Sequence, residues 1–262
     1  MKIATWNVNS IRTRLTHATD WLTQNPDIDL LCVQETKVTD ELFPAAAFEA
    51  IGYTPYFIGQ KSYNGVALLA KGAIEDVRLG FADVLSEAAV EELDDQKRVI
   101  SCMIQGIRVV NVYVPNGSEI DSEKYYYKLR WLKLLKDYLA ALLQESPDLL
   151  ICGDFNIALE DIDIHNPKKR ATHIMSSDVE RDALRDILSL GLQDAFRKFN
   201  QAAEQFSWWD YRSGSFARNA GWRIDHHYLT SALYERAIGC IIDLEPRKRD
   251  QPSDHTPVIV EL

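Results

Sequence analysis

The sequence predicts a layered α/β (α+β) sandwich built from mixed β-sheets. Three observations carry that expectation. Apolar runs of strand length recur near 2–7, 29–34, 54–58, 65–70, 98–105, 107–114, 148–153, 222–229, 237–243 and 257–262. Helical patterns are fewer and fall near 11–24, 39–51, 122–145 and 178–190. The two kinds of segment do not alternate as a strict βαβ repeat would. No Pro/Ser-rich linker, low-complexity tract or long repeat divides the chain, so residues 1–262 are read as one domain.

Taken in order, the first run, Lys2–Trp6, ends in Asn7-Val8-Asn9. The second, Leu30–Val33, leads into Gln34-Glu35-Thr36-Lys37. Val109-Val110-Asn111-Val112-Tyr113 ends in Val114-Pro115-Asn116. The longest helical pattern spaces Tyr126, Leu129, Leu132, Lys133 and Lys136 by three and four residues, an amphipathic signature. Tyr125-Tyr126-Tyr127 should open that helix and pack on the core, and Pro147-Asp148 should stop it. The apolar run Leu149–Gly153 then delivers Asp154-Phe155-Asn156. Side chains two apart on a strand point the same way, so Asp154 and Asn156 are expected to project together. Four strands thus end in polar residues able to converge on one rim, where α/β sheets gather ligands.

Before the final run stands Pro252-Ser253-Asp254-His255-Thr256-Pro257. Neighbours in extended chain face opposite ways, so Asp254 and His255 can serve different partners. The imidazole needs a group to set its tautomer or hold its charge, and Asp225 is the candidate.

Bulk properties bound the rest. At 262 residues and 46% hydrophobic, the chain can bury a large core. No apolar stretch approaches membrane-spanning length, and Met1-Lys2-Ile3 runs straight into a strand. A soluble, cytoplasmic protein is expected. Cys32, Cys102, Cys152 and Cys240 lie far apart in or beside apolar runs and read as small buried hydrophobes. The net charge of -10 argues against nucleic acid at first sight. Much of the acid lies between Asp83 and Asp95, expected as a solvated loop or helix far from any substrate. Basic triplets at Lys168-Lys169-Arg170 and Arg247-Lys248-Arg249 are either hydrophilic turns or local phosphate-binding patches.

Asn7, Glu35, Tyr113, Asp154, Asn156, Asp225, Asp254 and His255 form a set without a Ser or Cys nucleophile beside a base. Neither a Walker A loop nor a Gly-x-Gly-x-x-Gly motif occurs. Carboxylates with amides suit a hard, oxygen-binding ion such as Mg²⁺ or Mn²⁺. With His and Tyr added, metal-assisted hydrolysis of a phosphoester is the chemistry best served.

The same residues resemble the exonuclease III family of apurinic/apyrimidinic (AP) endonucleases. The resemblance rests on Trp6–Arg12, Gln34–Lys37, Tyr113–Asn116, Gly153–Asn156, Gly221–Asp225 and Ser253–His255. Two weaker matches, at Asp163–Pro167 and Phe206–Arg212, keep the family's order. The resemblance implies a DNase I-like four-layer sandwich, two packed mixed sheets flanked by helices, with the site at one end. It further implies Glu35, Asn7 and Asp254 as metal residues and Tyr113, Asp154, Asn156, Asp225 and His255 as catalytic ones. Arg12 and Lys37 would contact the phosphate backbone or brace the site. Tyr113 looks like this branch of the superfamily, whereas lipid- and inositide-cleaving branches place histidine there.

Between Phe206 and Tyr228 the chain gathers Trp208, Trp209, Tyr211, Phe216 and Trp222. Trp209 and Phe216 are expected as core. By resemblance, Trp208, Trp222 and Ile224 line an apolar pocket for a flipped-out baseless sugar; Arg212, Arg218 and Arg223 lie nearby in sequence, where they could hold bent backbone. Extruding such a sugar is cheap because it has lost stacking and pairing. The implied activity is Mg²⁺-dependent cleavage 5′ to abasic sites in double-stranded DNA, with 3′→5′ exonuclease and 3′-end cleaning, by a monomer in DNA repair. A binding regulator of the same fold and a phosphatase on another phosphoester are the alternatives.

Overall fold

The computed structural model describes residues 1–262 except the side chains of residues 169–171. Most of the basic triplet expected at 168–170 therefore lies outside the described residues. Strands β1 (Lys2–Asn7), β2 (Leu30–Gln34), β3 (Thr54–Ile58) and β4 (Val66–Ala70) come first, with helices α1 (Leu15–Gln24) and α2 (Ala45–Glu49) between them. β5 (Glu75–Leu79), α3 (Glu87–Val90), β6 (Val99–Ile104) and β7 (Ile107–Tyr113) follow. The long α4 (Glu123–Glu145) precedes β8 (Leu149–Asp154), and α5 (Asp178–Leu188) precedes β9 (Leu192–Asp194) and α6 (Ala195–Phe199). β10 (Asp225–Thr230), α7 (Ser231–Arg236), β11 (Gly239–Ile242) and β12 (Val258–Glu261) complete the chain.

The strands form two six-stranded sheets, ordered β11-β12-β1-β2-β4-β3 and β5-β6-β7-β8-β10-β9. Each sheet has a parallel pair at its centre, β1–β2 in one and β7–β8 in the other. The remaining pairs are antiparallel. β12 closes on β1, the latest strand of the chain against its earliest.

Alternation along the central strands explains the layering. On β8, Leu150 and Cys152 enter the core between the sheets, whereas Leu149 and Ile151 face outward under α4 and α5. On β2, Leu30 and Cys32 point inward, and Leu31 and Val33 pack with α1 and α2. Covered on both faces, these strands read as unbroken apolar runs. The result is the expected helix–sheet–sheet–helix stack. All four cysteines are free and buried, as expected of small apolar fillers. Polar groups also cross the central layer. Gln34 Nε2 donates to Thr5 Oγ1 at 2.8 Å and Asn111 Oδ1 at 2.6 Å, and Asn111 Nδ2 reaches the carbonyls of Val33 and Ala67 at 3.0 Å.

α4 starts where Ser122 Oγ accepts from the Tyr125 amide. Its buried face runs through Tyr125, Lys128, Trp131, Leu132, Leu135, Tyr138 and Leu142, sharing only Leu132 with the expected stripe. Tyr126, expected on the core, is 53% exposed. Trp131 and Tyr138 outweigh it because they seat against Phe81, with centroids at 5.1 and 5.3 Å. The expected helix at 39–51 is broken by Pro44 into a short 3₁₀ turn, Asp40–Leu42, and α2. No helix among the described residues is long and apolar enough to cross a membrane.

Candidate active site

Two parallel pairs that face each other must finish at the same end of the sandwich. Asn7 lies opposite Gln34 in one sheet, and Tyr113 opposite Asp154 in the other. The chain then leaves β1, β2 and β8 through left-handed backbone, with positive φ at Asn9 (45°), Glu35 (54°), Lys37 (54°) and Asn156 (49°). Such clustering of strained residues is typical of sites that must hold a set geometry.

Asn7 joins the sheets. Its Nδ2 donates to Glu35 Oε1 at 2.8 Å and to Asp154 Oδ2 at 2.9 Å. Asp154 and Asn156 do come together, but not by strand alternation, because β8 ends at Asp154. The chain turns instead, so that the Asn156 amide N–H donates to Asp154 Oδ1 at 2.9 Å. Asn156 Nδ2 donates to Val114 O at 2.9 Å and to Asp154 Oδ2 at 3.3 Å, and Asn116 Nδ2 donates to Asn156 Oδ1 at 2.9 Å. Gly153 is required just before the turn. Its φ is +144°, and a Cβ there would lie 1.9 Å from the Val112 carbonyl oxygen.

His255 finds the partner expected of it. Its Nδ1 lies 2.9 and 3.1 Å from the Asp225 carboxylate oxygens, and Ser207 Oγ donates to Asp225 Oδ2 at 2.6 Å. Its Nε2 lies 3.7 Å from Asp154 Oδ2. Burial disfavours the imidazolium, but Asp225 and Asp154 more than offset it and raise His255 to about 10. Burial also pushes Asp154 up to about 7, against the pull of His255. Asp254 faces the other way, accepting from Trp208 Nε1 and Asn9 Nδ2, each at 3.0 Å. Burial opposes its charge, yet His255 and these donors hold its carboxyl below the usual range.

Tyr113 lies under the Arg98 guanidinium, 4.5 Å from the ring centroid. Burial, reinforced by Glu35, drives its hydroxyl well above the usual value, so it stays a proton donor. Beside it opens a groove of about 620 Å³ lined by Tyr63, Arg98, Asn116, Lys124, Tyr127 and Arg130. The acidic stretch borders this groove instead of lying far away, since Glu92 pairs with Arg130 at 2.7 Å.

Glu35, Asp154 and His255 each place one possible ligand atom within 4.8 Å of the others. Lys37 Nζ sits 2.8 Å from Glu35 Oε2 and donates to Asn9 Oδ1 at 2.5 Å, so this oxygen cage already accepts a cation. The donor set fits a hard divalent ion. The expected trio Glu35, Asn7 and Asp254 is only partly gathered. Asp254 stands outside the tight cluster because Trp208 and Asn9 engage both its oxygens.

Trp208 bridges antiparallel to both Trp222 and His255. With Trp222 and Ile224 it packs on a small apolar cluster that includes Ala158, Ile164 and Met175. Of the three, Trp208 is the one that meets the histidine. Trp209 is buried and meets Phe216 edge-on at 5.0 Å, as expected of structural aromatics.

Arg12 is exposed after β1, as a backbone contact would have to be, whereas Arg14 turns inward, donating to Tyr211 Oη and Pro252 O at 3.1 Å. One expectation fails. Arg223 is 1% exposed and cannot reach a backbone. It is locked between Asp163 and Asp194, at 2.8 and 2.7 Å. Of the two readings of the triplet at 247–249, its setting in a 3₁₀ turn favours the hydrophilic turn. Arg247 stacks 4.8 Å from the Phe216 centroid, Lys248 pairs with Glu245, and Arg249 with Asp20. Sequence reading also missed Asn9, Arg98, Lys128 and Ser207. Asn9 stood inside a quoted motif, whereas nothing local marked the others.

A sandwich that gathers acids, amides, a phenol and an imidazolium at the ends of its parallel strands is the architecture of phosphoester-cleaving enzymes. The model of the endonuclease/exonuclease/phosphatase family matches residues 4–255, and the chain belongs to that family. Exodeoxyribonuclease III of Haemophilus influenzae is 35% identical over 274 residues, covering 100% of both chains. An AP endonuclease from Archaeoglobus fulgidus superposes with a TM-score of 0.91 at 42% identity, over 100% of this chain and 99% of that one. The 3′ phosphatase NExo from Neisseria, bound to product DNA hairpin, gives 0.94 at 39% identity with the same coverage. The enzyme is a nuclease, as these relatives are.

Proposed function

We propose that this nuclease cleaves the phosphodiester on the 5′ side of an abasic site in duplex DNA, leaving a 3′-hydroxyl and a 5′-deoxyribose phosphate. It would work as a monomer in the cytoplasm and trim 3′ ends with the same residues. One observation carries the reading: the apolar cluster of Trp208, Trp222 and Ile224 adjoins the histidine of the polar cluster through Trp208.

In this reading Asp154 takes the proton of the in-line water, with a carboxyl raised to about 7 for the task. Asn156 orients that carboxylate and bounds the water. His255, charged and held by Asp225, donates from Nε2 to a phosphoryl oxygen. Tyr113 donates its hydroxyl to the phosphate or the leaving oxygen. Glu35 and Asn7, with Asp254 alongside, would hold Mg²⁺ or Mn²⁺, which supplies neutralising charge at the phosphate when bound. Lys37 braces Glu35. The test is product analysis on an end-labelled duplex with one abasic analogue. Nicking 5′ to the lesion should need Mg²⁺ and vanish in Asp154→Asn. An intact duplex with folded, metal-loaded protein overturns the reading.

A second reading, 3′-phosphate removal as the main activity, is favoured by one contact. The His173 ring lies 4.8 Å from the Trp222 ring, tilted at 49°. If His173 restricts a sugar's access to Trp222, His173→Gly should raise abasic cleavage at least about tenfold relative to 3′-phosphate release, a difference of about 1.4 kcal/mol. An unchanged ratio removes His173 from substrate choice.

A further inference from the structure

Behind the polar cluster lies an ion pair with no direct part in the chemistry described above. Lys128 on α4 and Glu180 on α5 are both 0% exposed, with Nζ 2.5 Å from Oε1. The same ammonium donates to the Asn156 carbonyl at 2.8 Å and the Asn116 carbonyl at 3.2 Å. Asn116 and Asn156 belong to the loops that follow β7 and β8. Glu180 is saturated in turn. Its oxygens accept from Met175 N at 3.0 Å, Ser177 N at 3.0 Å and Ser177 Oγ at 2.7 Å. Met175 is a wall of the apolar cluster, and its carbonyl accepts from Ala158 N at 2.8 Å.

A buried ion pair is weak support for stability, because desolvation consumes most of the attraction. What this one does is join two loops and a wall. We propose that Lys128 is a positioning residue: its ammonium, neutralised by Glu180, fixes the left-handed Asn156 turn and the Asn116 loop relative to the Met175 side of the apolar cluster. The proposal rests on the reading above that Asp154 and Asn156 act at the scissile phosphate. Without Lys128, both carbonyls lose their donor, Asn156 is free to relax, and the Asp154 carboxylate loses its alignment.

The test separates alignment from bulk stability. Lys128→Met leaves Glu180 unpaired and lowers the melting temperature. Adding Glu180→Gln removes the orphan charge and should restore part of that loss, its nitrogen left against the Met175 or Ser177 N–H, but neither change restores a donor to the two carbonyls. The double variant is therefore expected to melt between the single variant and the wild type while kcat falls at least about tenfold and KM moves less than about threefold. Rates are taken on abasic and on 3′-phosphorylated duplexes. A stable double variant with kcat within twofold of wild type on either substrate overturns the proposal. Should both variants fail to fold, Lys128→Arg keeps a charge facing Glu180 with a different donor geometry. A folded Arg variant with reduced kcat and little change in KM supports positioning, and unchanged kcat overturns it. Wild-type protein inactive on both duplexes overturns the underlying reading, whereas an active wild type with a fully active variant overturns only the role of Lys128.

Discussion

At the scale of single residues, charge partnership decides what each group is for. Arg223 looked like a backbone contact because it sits between Trp222 and Ile224 in sequence. Its guanidinium instead meets Asp163 and Asp194, and Arg197 adds a second cation on Asp163. Burial resists ionisation of Asp163, but Arg223 and its neighbours outweigh it and hold the carboxyl near about 2. A folded value below the unfolded one means the stabilisation is fully present above about pH 3.9 and is lost as pH falls through 2. The shift corresponds to about 2 kcal/mol. Asp163→Asn should therefore lower the unfolding free energy at pH 7 by several kcal/mol, roughly the 3–5 expected for a broken buried pair. Its deficit against wild type should shrink between pH 4 and pH 2. Urea titrations across that range check both, and a deficit that does not change with pH would exclude Asp163 as the titrating group.

Among the elements, the strands that carry the site were the most legible, and the reason is burial on both faces. Continuous apolar runs ending in Asn, Glu, Tyr and Asp marked β1, β2, β7 and β8 and the rim they share. β5 escaped notice because it is a half-exposed edge strand, Glu-Asp-Val-Arg-Leu, with a register shift between Glu75 and Arg78. β9 has three residues and α6 five, too short for any period to register. The inward Lys128 was invisible for a different reason. Its partner is Glu180, 52 residues away, and only the packing of α4 on α5 brings them together. The Asp154–Asn156 pair was placed correctly on a wrong premise, since a turn does what alternation was expected to do. Gly153→Ala tests that turn. The positive φ and the clash with Val112 together should cost roughly 3 kcal/mol or more. Denaturation midpoints measure the loss, and a change below about 0.5 kcal/mol would mean the strand end yields freely.

For the molecule as a whole, a net charge of -10 has to coexist with a polyanionic substrate. Under the proposed function, local cations would resolve the conflict. Arg98, Lys124 and Arg130 line the groove beside Tyr113, with Arg130 partly spent on Glu92. About three phosphate contacts give a logarithmic salt slope near 0.9 each, so the dissociation constant should rise roughly 40-fold between 50 and 200 mM salt. Fluorescence anisotropy with labelled duplex measures it. A slope above six would require cations elsewhere on the surface.

The pairing of β12 with β1 has a consequence for synthesis. A chain leaving the ribosome displays Glu35 and Asp154 long before it contains Asp254 and His255, which are delivered by the segment leading into β12. Until that final hairpin-like return docks, Asp154 has no imidazolium beside it and the first sheet lacks β12 along β1. An unfinished polypeptide therefore leaves β1 without that neighbour and, under the roles proposed for Asp254 and His255, could not cut a strand. On that reading the order of translation keeps the blade sheathed.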